Sequence, residues 1–314
     1  MDVPLARVEP GRLARAHLAI YKAAVATLRL VKGRGSGRAA WMLERVFGAK
    51  NAAVFRVFGN RLLRVPLGDG YWLPALIGGR DYEPEIRFVL SRVMNAECGF
   101  FDCGANIGWW SLFASTVISS PRRIVAVEAS PELHARLAET ASLNGHAFTC
   151  LNQAIWNVAG ERLLVEADPR NHAGASVTNT GSMIDRRGFT RAEVLSTTLD
   201  DLGREFLDST VSGVIVKLDV EGAELRALEG GRDLLRGNCL VVYEDHGADL
   251  SCRVTREVLR GGFRVFYCDD GFRVHEVLRP EALQPFKVDP RRGYNLVACR
   301  PTTPFHQVML KMVN

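Results

Sequence analysis

The chain is predicted to fold as α/β, an open and mostly parallel sheet with helices on its faces. Three observations carry this. From residue 98 onward, short apolar runs alternate with stretches of helical periodicity. The first run ends in a glycine turn, Asp102-Cys-Gly-Ala-Asn-Ile-Gly108, that opens directly into helical spacing. The second run ends in an acid, Glu128, twenty residues after Gly108. Small residues in such a turn let the backbone approach a ligand, and an acid at the next strand's end can accept hydrogen bonds from a ribose diol.

Before residue 98 the pattern is less regular. Leu18, Tyr21, Val25 and Leu28 share one face of a helix predicted over Gly11–Lys32, with Arg15, Lys22 and Arg29 as a basic stripe beside it. The stripe suits either an anionic membrane surface (or another partner) or the solvated rim of a docked helix. Gly33 to Gly37 breaks that helix. Val54–Val65 reads as a hairpin or strand pair, and Ile86, Val89, Leu90 and Val93 as the face of a helix leading into the sheet. Residues 1–80 are thus expected to form an extension of helix and strands that covers the sheet or the pocket, and 81–314 the main domain.

The regular part predicts seven strands: Gly99–Cys103, Arg123–Glu128, Phe148–Gln153, Val214–Asp219, Leu240–Asp245, Phe263–Cys268 and Asn295–Cys299. Helices are expected over Ile107–Ile118, Pro131–Leu143, Ala223–Leu235 and Ser251–Arg260, the second with proline where a missing N–H costs nothing. The last two strands are joined without a clear helix, which predicts an antiparallel pair closing one edge. Residues 154–198 break the alternation. They read as a hairpin around Gly160, a polar loop from Asp168 to Ser176, and a β-like segment Glu193–Thr198, a placement suited to substrate contacts.

Composition narrows the class. The chain is 47% hydrophobic and 24% charged, as an ordinary globular protein is. Its net charge of +5 is uneven: residues 1–64 hold 13 Lys and Arg against 3 Asp and Glu, and the rest 27 against 32. An acidic body argues against a nucleic-acid partner. The 7 cysteines show no CxxC or metal-ligand spacing and fall in apolar runs, so they read as reduced core thiols of a cytoplasmic protein. No leader peptide is predicted, and Ala16–Val31 is too short and too charged to span a bilayer.

The turn lacks the GxGxxG of a dinucleotide site, and it carries an acid, Asp102, at the strand end. S-adenosylmethionine has no pyrophosphate to cradle but does have an ammonium to hold, so the residues favour it over a nicotinamide or flavin. Lys217 and Asp219 share a strand face, and Glu221 and Glu224 stand three apart where a helix is expected to begin. Methylating an alcohol needs a base within hydrogen-bond reach of the acceptor. Asp219 and His246 are the candidates, with His172 in the polar loop as a third and Lys217 as the partner that holds Asp219. Asp219, Glu221 and Glu244 have no diagnostic metal-ligand spacing, so no metal is assigned.

The chain resembles the FkbM-type family of S-adenosylmethionine-dependent methyltransferases over about residues 82–245. The segments that carry the resemblance are Phe101-Asp-Cys-Gly-Ala-Asn-Ile-Gly108, Val127-Glu-Ala-Ser-Pro131, Asn152-Gln-Ala-Ile155, Thr197-Thr-Leu-Asp-Asp201 and Ile215-Val-Lys-Leu-Asp-Val-Glu-Gly-Ala-Glu224. Ala129 departs from the proline common there. The resemblance implies a Rossmann-like methyltransferase fold and methyl transfer to a hydroxyl of a sugar, glycan or polyketide-type product, leaving S-adenosylhomocysteine. It implies that Asp102, Gly104, Asn106 and Gly108 surround the methionine part of the cofactor. It places Glu128 at the ribose, Gln153 and Ala154 near the adenine, and Asp219 beside the methyl group. Two other readings stay open: a non-catalytic scaffold that docks through its basic N-terminal helix, and an NAD-type oxidoreductase.

Overall fold

The computed structural model describes residues 5–8, 16–23, 39, 42–43, 46, 52–79, 81–167, 175–178 and 190–313. Strands β1 (Leu5–Val8), β2 (Ala52–Val57) and β3 (Arg61–Pro66) form a small antiparallel sheet. The expected hairpin is β2–β3. Residues 16–23 are helical, with Leu18 and Tyr21 buried and Lys22 exposed. The remainder of the predicted Gly11–Lys32 helix, Arg15 and Arg29 included, lies outside the described residues, as do Gly33–Gly37. Helices α1 (Trp72–Ile77) and α2 (Pro84–Val93) follow. Among the described residues no helix is long and apolar enough to cross a membrane.

The main sheet is built from β4 (Cys98–Cys103), β5 (Ile124–Val127) and β6 (Thr149–Leu151), then β11 (Gly213–Leu218), β12 (Cys239–His246), β13 (Arg264–Cys268), β14 (Val274–Val277) and β15 (Gly293–Cys299). Its order is β14-β13-β15-β12-β11-β4-β5-β6. From β12 to β6 all neighbours are parallel, and β15 lies antiparallel between β12 and β13. The sheet therefore has eight strands, one more than the pattern gives. The addition, β14, lies in the segment after Asp269 and closes the edge antiparallel to β13. Its four residues, Val-His-Glu-Val, are too few and too polar to stand out as a strand; only pairing with β13 fixes them.

Every residue of β4 and of β11 is buried, because both faces of the sheet are covered. The period of two sends Phe100, Ile215 and Val242 into one apolar core and Phe101, Val216 and Val241 into the other. The first core also takes in Tyr21, Phe55, Leu63, Trp72 and Leu90, so the N-terminal segments pack on that face. Helices α3 (Trp109–Ala114) and α4 (Pro131–Leu143) connect the first strands. Helix α5 (Leu199–Phe206) precedes β11; α6 (Glu224–Glu229) and α7 (Arg253–Arg260) follow β11 and β12, and α8 (Pro304–Met312) ends the chain.

The helix expected over Pro131–Leu143 has those bounds, and the other three expected helices are shorter. The one predicted over Ala223–Leu235 ends at Glu229 with Gly230 as its C-cap, where the backbone runs so close to Trp156 that a Cβ would stand 2.2 Å from its carbonyl oxygen; the chain resumes as a short 3-10 turn, Leu234–Arg236. Glu221 stands outside that helix, in the left-handed region at φ 50°, so it is not a first-turn acid. Residues 154–198 form a second sheet from β7 (Ala154–Ile155), β8 (Arg162–Ala167), β9 (Ala175–Thr178) and β10 (Thr190–Thr197), in the order β7-β10-β8-β9. Most of the polar loop, His172 with it, lies outside the described residues.

Candidate active site

Strand order reverses at β4, which has β5 on one side and β11 on the other. In a parallel α/β sheet a crevice opens at the carboxyl ends of the strands at such a point. Here it is lined by Asp102, Gly104, Asn106, Glu128, Gln153 and Asp219, among others. The turn after β4 forms its floor. Gly104 lies at φ 78° and presses on the residue after β11: a Cβ there would sit 1.8 Å from the Asp219 carbonyl oxygen. Its N–H and that of Ala105 both donate to the Val127 carbonyl, at 2.9 and 3.0 Å. Asn106 (φ 52°) and Gly108 (φ 89°) are also left-handed, and Gly108 packs under Leu137 and Phe148.

Asp102 is wholly buried. One of its oxygens, Oδ2, accepts from the Ser111 N–H at 2.9 Å and the Ser111 hydroxyl at 2.6 Å. Burial pushes its carboxyl above the ordinary value, and Lys217 and the Ser111 bonds offset part of that. Glu128 follows β5 directly and is 5% exposed. Its Oε2 accepts from Asn106 N–H at 2.9 Å and its Oε1 from Ser130 N–H at 2.8 Å. Burial raises its pKa to about 7 despite these two bonds. Each oxygen keeps a lone pair for a ligand hydroxyl. Gln153 and the buried Ala154 line the same crevice beyond Glu128, on the β6 side.

Asp219 and Lys217 meet at the end of β11. The Lys217 ammonium donates to Asp219 Oδ2 at 2.9 Å; the lysine side chain is 4% exposed and the aspartate 26%. Burial works against the lysine's charge, but Asp219, Glu83 and Asp102 outweigh it and hold the ammonium above its ordinary value. A second cleft joins the first at Tyr71, Tyr82, Asp219 and Glu221. It carries Glu83, Glu244 and His246. Burial, then nearby carboxylates with Asp219 first, pushes Glu221 up to about 7 and Glu244 up to about 8. His246 ends β12 and is exposed, and its Nδ1 accepts from the Ala248 N–H at 3.2 Å. A neutral ring so held carries its proton on Nε2, which makes that nitrogen a donor. Among the described residues no group of three or more His, Cys, Asp or Glu is arranged to hold a metal ion.

A family model, that of the methyltransferase FkbM domain, matches residues 102–278, more than half of the chain. The chain belongs to the FkbM methyltransferase family. Three solved structures are among those similar to this chain. An FkbM methyltransferase from Methylobacillus flagellatus KT is 14% identical, with 67% of this chain and 47% of that one covered and a TM-score of 0.39. A precorrin-6y C5,15-methyltransferase from Geobacter metallireducens GS-15 is 12% identical, covering 69% and 87%, with a TM-score of 0.39. An S-adenosylmethionine-dependent O-methyltransferase from Thermotoga maritima is 10% identical, covering 82% and 81%, with a TM-score of 0.37. No curated protein matches the chain.

In this FkbM-family chain the fold brings Asp102, Gly104, Asn106, Glu128, Gln153, Ala154, Lys217 and Asp219 into one crevice. Gly108 lies beneath it, and His246 is not among its lining residues but lines the second cleft and a neighbouring one. Sequence reasoning did not single out the aromatic wall: Tyr71, Trp72 and Tyr82, which precede the family match, and Trp109 and Trp110. The Trp72 indole donates to Asn106 Oδ1 at 3.1 Å, so a residue before the family match steadies the residue whose N–H reaches Glu128. Asp69 caps the start of α1, accepting from Tyr71 and Trp72 N–H. Glu83, at φ 45°, accepts from the Trp110 indole at 2.9 Å and from Asn295 at 3.1 Å. The available signal was the density of aromatics, Tyr71-Trp72, Tyr82 and Trp109-Trp110, around a glycine turn.

Proposed function

We propose that the chain is an S-adenosylmethionine-dependent O-methyltransferase that methylates a hydroxyl of a sugar, glycan or polyketide-type product. The observation that carries this reading is the Lys217–Asp219 pair, set where the cofactor crevice and the second cleft meet. The crevice suits the cofactor on its own terms: Glu128 keeps lone pairs for a ribose, and a buried Asp102 oxygen, Oδ1, has no partner among the described residues. When bound, S-adenosylmethionine supplies a methyl group activated by its sulfonium.

The chain's own residues do the rest. Tyr71 and Tyr82 wall the junction of the two clefts and limit water there. Lys217 donates to the Asp219 carboxylate and fixes its position, so that Asp219 can take the acceptor's proton as the hydroxyl oxygen attacks. Glu83, Glu221 and Glu244 offer hydrogen-bond acceptors to further hydroxyls, which suits a polyhydroxylated acceptor. With Nδ1 taken by the Ala248 N–H, His246 is better fitted to donate from Nε2 to an acceptor oxygen than to act as the base.

The test is Asp219→Asn. It should bind S-adenosylhomocysteine as the native chain does and lose about a hundredfold or more in turnover on a panel of sugar and polyketide hydroxyls. Full turnover by this variant would remove Asp219 from the base role.

A further inference from the structure

Two polar groups in the wall of the cofactor crevice are buried and have no hydrogen-bond partner among the described residues. One is Asp102 Oδ1; the other is the indole N–H of Trp109. Both residues line the same crevice, and Trp109 is 5% exposed. Folded proteins rarely leave such groups unmade, because each loses its water without gaining a partner. The indole cannot readily turn to find one. Its ring stacks on Trp72 at 5.6 Å and 29°, with Phe58 edge-on at 4.7 Å and Tyr82 edge-on at 6.0 Å.

The two orphans are opposite in kind. An indole N–H can only donate, and an ionised carboxylate can only accept. A donor and an acceptor in one wall complement an amino-acid zwitterion, whose carboxylate and ammonium share a carbon. Strand order places them correctly for that. Asp102 stands one residue before the end of β4 and Trp109 begins the helix after it, whereas Glu128 and Gln153 follow β5 and β6 on the nucleoside side.

We propose that Trp109 is a cofactor-binding residue whose indole N–H donates to the carboxylate of the methionine half of S-adenosylmethionine, while Asp102 Oδ1 receives the ammonium. The assignment rests on the cofactor reading above and extends it to a residue that reading does not use.

The experiment is calorimetric titration of the full chain with two ligands: S-adenosylhomocysteine, and its decarboxylated analogue S-adenosyl-3-thiopropylamine. A hydrogen bond to a charged group corresponds to about a tenfold or greater change in affinity. The native chain should prefer S-adenosylhomocysteine by at least that factor. Trp109→Phe should lose most of the preference while binding the analogue as the native chain does, which also shows that the variant is folded. Trp109→His, which keeps a ring N–H, should recover part of it. A Trp109→Phe that keeps the full preference, or that loses both ligands equally, overturns the assignment. Should that variant not fold, equal binding of the two ligands by the native chain overturns it as well. A native chain that binds neither ligand removes the cofactor reading itself.

Discussion

Replacing Gly104 by alanine tests how closely the glycine turn after β4 is pressed against the end of β11. An added Cβ would stand 1.8 Å from the Asp219 carbonyl oxygen and 2.8 Å from its carbonyl carbon. Those are backbone atoms and cannot rotate away, so the turn and the end of β11 must part by about 1.2 Å to restore a 3.0 Å contact. Holding alanine at a positive φ costs about 1–2 kcal/mol, and forcing apart a packed contact about 1–3 kcal/mol. The sum is about 2–5 kcal/mol, or roughly 5–10 °C in melting temperature. Gly160 is the control, with the same φ of 78° and nothing within 4 Å of its Cβ position. Gly160→Ala should therefore cost only about 1–2 kcal/mol. Urea denaturation of both variants isolates the contact as the difference between them. Turnover should separate them further, since a displacement of about 1 Å at a reacting group can cost on the order of a hundredfold. Equal stability and equal turnover for the two variants would refute the reasoning.

Two further outcomes follow from the electrostatics. Burial raises Glu128 and Glu221 to about 7 and Glu244 to about 8, from an ordinary 4.5. The folded chain thus holds protons that the unfolded chain has lost; their stabilising contribution is complete below about 4.5 and disappears as pH rises through 7 to 8. Ligand-free protein should melt higher at pH 5.5 than at pH 8 by scanning calorimetry, whereas S-adenosylhomocysteine should bind more tightly as Glu128 ionises above about 7. Glu128→Gln should flatten that binding profile and weaken binding by about tenfold. Lys217→Met removes the cation that faces Asp219, Glu83 and Asp102. It should cost about 3 kcal/mol or more at neutral pH and less as pH falls, since burial holds Glu83 and Asp102 above their ordinary values and they take up protons before an exposed carboxyl would; a loss that does not shrink on acidification would contradict this account of the pair.

Much of the site was legible in the sequence because it is local. Asp102 through Gly108, Glu128, Gln153-Ala154 and Lys217 through Asp219 each sit at or just past the end of a strand of the parallel sheet, and parallel pairing brings strand ends together without further information. The glycines were readable for the same reason, since each marks a left-handed backbone or a close approach. What escaped is what depends on distant segments meeting. Trp72 reaches Asn106 across 34 residues, and Asn295 reaches Glu83 across 212. Neither pair leaves a periodic trace. β14 escaped because its strand character comes from its neighbour, and the close approach of Gly230 to the Trp156 backbone is invisible in either segment alone.

The central claim is that the crevice at β4, β5 and β11 is an S-adenosylmethionine site with its ribose on Glu128. Calorimetric titration of S-adenosylhomocysteine into the full chain and into Glu128→Ala tests it most directly. Saturable one-to-one binding by the native chain, weakened at least tenfold in the variant, is the expected result. Absence of binding to the native chain would contradict the claim, and undiminished binding to Glu128→Ala would contradict the ribose assignment.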